Sequence, residues 1–443
     1  MIFKRKLYES MLKWKNERHG STALLVKGTR RVGKSTLVET FAKKEYKSYL
    51  LIDFSRTSKQ VNALFEDMMD LDYFFLTLQN IFKVKLAERQ SVIIFDEVQF
   101  QPLARQAIKH LVKDGRYDYI ETGSLISIRR NVKDILIPSE ETSLFLHPMD
   151  FDEFLWATGK EIVSEQIRQA FLMKRPMGDA VHRQWMRELR LYMLVGGMPQ
   201  AVDAYIKHNN MQDVDNAKRD ILDLYENDLM RIDASGRASK IFADIPSQLN
   251  SNASRYKVGS AVEGETSERL SELITQLEDS HTVTIAYHVN DPGAAMGMFK
   301  DSKRYKLFLA DTGLFVTLAF RNKSYTDNII YQKLLSDKLS ANMGYVYENL
   351  VAQMLYTAGH SLFYHTFPSD KGNYNFEIDF LLSQGDKTLP IEVKSSGYLS
   401  HKSLDEFCNK YSERIGGRIL LYTKDFRQDS QTTCLPAYFA GLL

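Results

Sequence analysis

The chain has 443 residues, 44% of them apolar, and a formal net charge of +2. That length leaves room for about three domains, each with its own core, and the near-neutral charge excludes a chain that is basic throughout. The two cysteines, Cys408 and Cys434, form no CxxC pair and join no His/Cys cluster, so a structural zinc is not expected and a reducing compartment is. No apolar run reaches the length of about 18 residues that a membrane helix needs, and the basic N-terminus has no apolar segment behind it. The expectation is a cytoplasmic protein with no membrane partner. No internal repeat or low-complexity segment is present.

Residues 1–20 have a helical pattern, with Tyr8, Met11, Leu12 and Trp14 set among Lys and Arg. Over residues 1–50 the basic residues far outnumber the acidic ones. Such a face suits either nucleic acid or a solvated surface around a phosphate site, the second being the commoner arrangement. The apolar run Ala23–Val26 reads as a buried strand. It leads into Gly28-Thr29-Arg30-Arg31-Val32-Gly33-Lys34-Ser35-Thr36, which is GxxxxGK[ST] between a strand and a helix. Glycines allow the tight turn that aims backbone N–H groups at a polyphosphate, and the helix start adds its positive dipole end. Lys34 is expected at the β- and γ-phosphates of ATP, and Ser35 on Mg²⁺.

A second strand is expected at Tyr49–Phe54 and a helix over residues 60–90. Ser91-Val-Ile-Ile-Phe95 then runs into Asp96-Glu97, as a buried parallel strand with acids at its carboxyl end. Asp96 is expected in the Mg²⁺ shell, and Glu97 as the group that orients or deprotonates the attacking water. The next strand, Tyr117 onward, ends in Thr122-Gly-Ser124. Thr122, and after it Ser124, is expected either to touch the γ-phosphate or water or to cap a helix. A fifth strand, Ser143–Pro148, and a helix starting near Met149 complete a doubly wound domain over residues 1–155.

Residues 161–230 read as helices broken at 175–178 and 196–199. Helices at Ile241–Leu249 and Glu265–Asp279, then strands at His281–Val289 and Tyr305–Leu309, suggest a winged helix over 236–320. The second helix carries Glu265, Glu268, Glu272, Glu278 and Asp279 with only Arg269 opposed, which suits a lid or interface better than the major groove. From residue 335 a smaller α/β domain is expected. Gly344–Leu355 reads as an amphipathic helix bearing Glu348, followed by strands holding His365, Glu377, Asp379 and Glu392-Val-Lys394. This is the spacing of PD-(D/E)xK nucleases. Alternation puts Glu392 and Lys394 on one strand face. Asp379 and Glu392 would bind Mg²⁺, with Glu348 as a further ligand and Glu377 as an alternative. Lys394 would position water and stabilise developing charge. The plain structural reading is sheet-edge ion pairing, such as Lys394 with Asp379; His365 reads as structural.

The order of these motifs, with His147-Pro-Met-Asp-Phe-Asp-Glu-Phe154, Gly196-Gly-Met-Pro199 and Leu309-Ala-Asp-Thr-Gly-Leu314 between them, resembles a family of bacterial and archaeal ATPases. Its members carry an AAA-type P-loop domain and a C-terminal domain of unknown function with a restriction-endonuclease-like pattern. The resemblance implies an α/β fold, with a P-loop sheet of AAA/ASCE type, then a helical region (156–235), a winged helix and a nuclease-like domain. It implies ATP binding and hydrolysis. Many relatives have a Gly-Arg pair before the fifth strand; residues 137–142 hold no Arg, which leaves Arg129 and Arg130 as the nearest source of a trans-acting arginine. The expected function is an ATPase whose C-terminal domain binds or cleaves DNA or RNA. The alternative is a nucleotide-dependent switch, or a motor on protein partners, with a C-terminal domain that only binds.

Overall fold

The computed structural model describes residues 1–66, 68–123, 139–251, 253–324, 329–335, 343–369 and 372–443. The chain divides into two compact units, 1–147 and 148–443.

In the first unit the elements follow in βα alternation. They are α1 (Leu7–Arg18), β1 (Ala23–Lys27), α2 (Lys34–Glu45), β2 (Ser48–Asp53), α3 (Lys59–Ala63), α4 (Leu71–Phe82), β3 (Ser91–Asp96), α5 (Pro102–Asp114), β4 (Asp118–Gly123) and β5 (Glu141–Phe145). Among the described residues the sheet order is β2-β3-β4-β1-β5, and every pairing is parallel. Strands with two covered faces need apolar residues at successive positions, and β1 and β3 supply them. Leu24 and Val26 join Met11, Trp14, Val38 and Phe41 in one core. Ala23 and Leu25 join Phe74, Leu78, Ile108 and Leu111 in the other. The helix expected over 60–90 is broken, because Asp70 accepts a hydrogen bond from the Tyr73 N–H and starts α4 afresh.

The second unit opens on helices α6 (Phe151–Ala157), α7 (Glu161–Met173), α8 (Asp179–Val195), α9 (Pro199–His208), α10 (Met211–Ile232), α11 (Arg237–Asn250), α12 (Val258–Ala261) and α13 (Ser271–Ser280). The second unit begins at Pro148. Asp150 and Glu153 form a capping box that starts α6, and the Met149 N–H donates to Gly197 O at 2.7 Å. Strands β6 (Val283–Val289) and β7 (Lys300–Leu309) follow, then α14 (Thr312–Leu318), α15 (Ile329–Leu335) and α16 (Gly344–Thr357). The chain ends with β8 (Leu362–Pro368), β9 (Asn375–Gln384), β10 (Lys387–Lys394), α17 (Lys402–Lys410), β11 (Ile419–Tyr422), β12 (Arg427–Asp429) and β13 (Thr432–Pro436).

The winged-helix expectation rests on a hairpin that joins a larger sheet. Its hairpin β6–β7 is not a free wing, because β6 pairs in parallel with β8. Among the described residues one mixed sheet runs β12-β13-β11-β10-β9-β8-β6-β7, so ranges read as separate domains share a sheet. The acids read as repelling DNA have partners within their own region. Glu268 pairs with Lys303, Glu265 lies 3.5 Å from Arg237, and Glu278 accepts from the Tyr287 hydroxyl. Helix α16 is also not amphipathic, being buried around most of its circumference. Its polar Asn349 is satisfied by the backbone of Leu309, and Gln353 by Thr312.

Two glycine motifs without assigned chemistry meet in this unit. A Cβ on Gly313 would stand 2.5 Å from the Gly196 Cα, so only two glycines allow the backbones to cross. Gly196 also has φ 81°, a conformation that L side chains rarely adopt. Asp311 ties the crossing, accepting from the N–H groups of Gly197 (2.6 Å) and Leu314 (2.8 Å).

Candidate nucleotide site and acidic cluster

The first site grows from the turn between β1 and α2. At Gly28 a Cβ would lie 2.5 Å from Leu146 O, so the loop presses on backbone. Gly33, with φ 98°, is the N-cap of α2, and Arg31 is also left-handed. Lys34 is buried, and its ammonium donates to Gly28 O (3.1 Å) and Thr29 O (2.9 Å). The Thr29 hydroxyl is buried without a hydrogen-bond partner. Val32 has its side chain in the core, so it can offer a nucleotide only backbone. Arg31 and Thr36 are exposed at the loop, and Arg30 and Ser35 are half-buried. Arg5, which sequence reasoning missed, grips the loop from outside by donating to Val32 O (3.0 Å) and His147 O (2.6 Å).

The carboxyl end of the sheet brings the expected acids to the loop. The Ser35 hydroxyl donates to Asp96 Oδ1 at 2.8 Å, and the Thr122 hydroxyl donates to the same oxygen. The Glu97 N–H donates to Thr122 Oγ1 at 3.2 Å. Glu97 itself has φ 55°, which turns the chain sharply at the end of β3, and the Gln99 amide donates to its carboxylate. Burial raises the Asp96 pKa above its ordinary value, the Ser35 and Thr122 hydroxyls oppose the shift, and the Glu97 and Asp53 charges add to it. Thr122 thus ties the Asp96 carboxylate to the backbone of Glu97. Ser124, Arg129 and Arg130 lie outside the described residues.

The fit to Mg²⁺ and ATP is good on the chemistry present. A glycine cradle, an unpartnered buried hydroxyl at Thr29, an ammonium resting on loop carbonyls and a Ser–Asp oxygen pair suit a magnesium-bearing polyphosphate. Beside them β4 hides an unexpected acid. Glu121 is fully buried, next to Glu141 and to Arg105, which donates to Glu141 at 2.8 Å. Burial first, and the Glu141 charge second, push the Glu121 pKa well above the carboxylate range.

The C-terminal candidates also converge, on the face of the second sheet that α16 covers. Asp379 accepts from the Val393 N–H at 2.7 Å. Glu392 pairs with Lys394 at 2.8 Å and accepts from the Leu404 N–H at 3.3 Å. Glu348 and Glu377 both hold Lys306, at 2.8 and 2.5 Å. The expected Lys394–Asp379 pairing is replaced by Lys394–Glu392. Among the described residues, no three His, Cys, Asp or Glu side chains are arranged to hold a metal ion. Lys306 was missed because it sits in the hairpin read as a wing. Its one signal is a lysine inside the apolar run Tyr305-Lys-Leu-Phe-Leu309. His365 is buried, with Nδ1 on Val289 O and Nε2 on the Tyr411 hydroxyl.

Residues 20–155 match the family model of an AAA domain. Residues 186–325 and 343–439 match two domains of unknown function, DUF8612 and DUF4143. A search of curated proteins returned no match. Among solved structures, the Walker-type ATPase PABY2304 of Pyrococcus abyssi is 16% identical, over 72% of this chain and 96% of its own, with a TM-score of 0.41. The RuvB Holliday junction branch migration motor of Thermotoga maritima is 15% identical, over 64% and 89%, with a TM-score of 0.29. The STAND protein PH0952 of Pyrococcus horikoshii, which has a tetratricopeptide repeat sensor, is 11% identical, over 80% and 48%, with a TM-score of 0.28. Among the described residues no helix is long and apolar enough to cross a membrane. Taken with the loop and acids above, residues 20–155 are an AAA-type P-loop ATPase domain.

Proposed function

We propose that this protein binds Mg²⁺ and ATP at residues 28–36 and hydrolyses the nucleotide, and that its second unit binds a macromolecular partner under control of that cycle. The observation that carries the first part is the convergence of Ser35, Thr122 and the Glu97 backbone around Asp96. Lys34 would leave its carbonyls for the β- and γ-phosphates, and Ser35 and Asp96 would hold the metal. Magnesium supplies neutralisation of the phosphate oxygens. Glu97 orients water and accepts its proton, while Thr122 fixes the angle between the two acids. Lys34→Ala is expected to abolish ATP binding. Glu97→Gln is expected to keep binding and lose at least about 100-fold in turnover, the usual contribution of a general base. Normal turnover in both variants would refute the assignment.

The C-terminal face supports binding over cutting, because Lys306 engages Glu348 and Glu377 and Lys394 engages Glu392, three of the four carboxylates that a nuclease metal would draw on. Cleavage of plasmid DNA with Mg²⁺ or Mn²⁺ that vanishes in Lys394→Ala would overturn this reading and restore a nuclease. DNA-stimulated ATP turnover without cleavage would mark the partner as nucleic acid, and unstimulated turnover would point to protein.

A further inference from the structure

We propose that Lys306 is the resident cation of the acidic cluster: a tethered ammonium that fills the place of a divalent ion, clamps β7 and β9 to α16, and closes the cluster to metal. Its Nζ lies 2.8 Å from Glu348 Oε1 and 2.5 Å from Glu377 Oε1, oxygens contributed by a helix and a strand 42 and 71 positions away. The side chain comes from the edge strand of the sheet, and its Nζ lies 5.6 Å from the centre of the buried Tyr364 ring. Its direct neighbour on β6 is the small, buried Ala286. A lysine is buried to this degree only when paired, since an isolated ammonium in low dielectric is strongly unfavourable.

Charge counting leads to the same place. Glu348, Glu377, Asp379 and Glu392 face three cations: Lys306, Lys394 and, acting on Glu377, Arg304. Burial works against the charge on Lys306, but Glu348, Glu377 and Asp379 outweigh it and hold its pKa above the ordinary value. By formal count the cluster is short of positive charge even with both lysines in place. Removing Lys306 would leave half-buried carboxylate oxygens from α16 and β9 aimed at one point. Hard oxygens so placed take either protons or a hard cation.

This deepens the binding-module reading and is decided separately from it: wild-type cleavage would sink that reading, whereas metal binding decides this one. The test measures Mn²⁺ binding by electron paramagnetic resonance, and melting with and without Mn²⁺, on the nucleotide-free full chain. Wild type is expected to show no site sensitive to Asp379→Asn. Lys306→Met is expected to bind one Mn²⁺ and to melt several degrees higher with it, an effect lost on adding Asp379→Asn. A Lys306→Met variant that folds only with Mn²⁺ supports the proposal equally. It is overturned if wild type binds Mn²⁺ through Asp379. It is also overturned if Lys306→Met gains no site, whether folded or unfolded in both conditions.

Discussion

Glu121 and Thr122 are neighbours on β4 and do opposite things. Alternation sends Thr122 toward the Ser35–Asp96 pair and Glu121 to the other face, beside Arg105 and Glu141. Thr122 was legible as a polar residue at a strand end, because that edge of an open sheet collects ligand-binding groups. Glu121 was not, since nothing local distinguishes a buried glutamate from a solvated one. Its raised native pKa makes the native state hold more protons than the unfolded chain between the ordinary value of about 4.3 and the raised one. Stability of the first unit therefore falls as pH rises through that window, and the penalty vanishes below about pH 4, where both states are protonated. Glu121→Gln keeps the shape and removes the titration. It is expected to melt a few degrees higher than wild type at pH 8, and at nearly the same temperature near pH 4. A variant less stable at pH 8 would mean that Glu121 is ionised against Arg105.

Elements were read best where the information is local. The loop between β1 and α2, the apolar β3, and the breaks between α7, α8 and α9 all follow from short-range signals of glycine, proline and burial. What failed was pairing. The run His281–Val289 alternates as a strand should, but no pattern within it says that its free edge takes β8 rather than water. That one parallel pairing turns a supposed wing into part of a larger sheet and brings Lys306 to Glu377. The glycine motifs failed for a related reason, because their role is visible only when two distant turns touch. Each of Gly196 and Gly313 is expected to be intolerant of a methyl group. Gly313→Ala would set a Cβ within 2.6 Å of Gly196 backbone atoms, and overpacking of this kind costs about 1–3 kcal/mol. Chemical denaturation should show the loss in the second unit, with the first unit's ATP binding intact. An unchanged midpoint would mean that the crossing relaxes freely.

The whole molecule joins a nucleotide domain to a second unit held together by buried polar ties, and the proposed function requires the two to exchange free energy. Coupling is reciprocal: a nucleotide that alters the second unit must be altered by it to the same degree. Separate cores predict two unfolding transitions by calorimetry, assignable through Glu121→Gln for the first unit and Gly313→Ala for the second. ATP with Mg²⁺ at about 100 times its dissociation constant stabilises a binding unit by about 2.7 kcal/mol. On Glu97→Gln, which holds ATP without consuming it, the first transition is expected to rise by several degrees. If the cycle controls the second unit, the second transition rises too, by a smaller amount, and both shifts disappear in Lys34→Ala. A first transition that moves alone would leave the ATPase assignment standing and remove the control. A second transition that moves downward would still be coupling, of the sign expected when nucleotide loosens the unit to admit a partner.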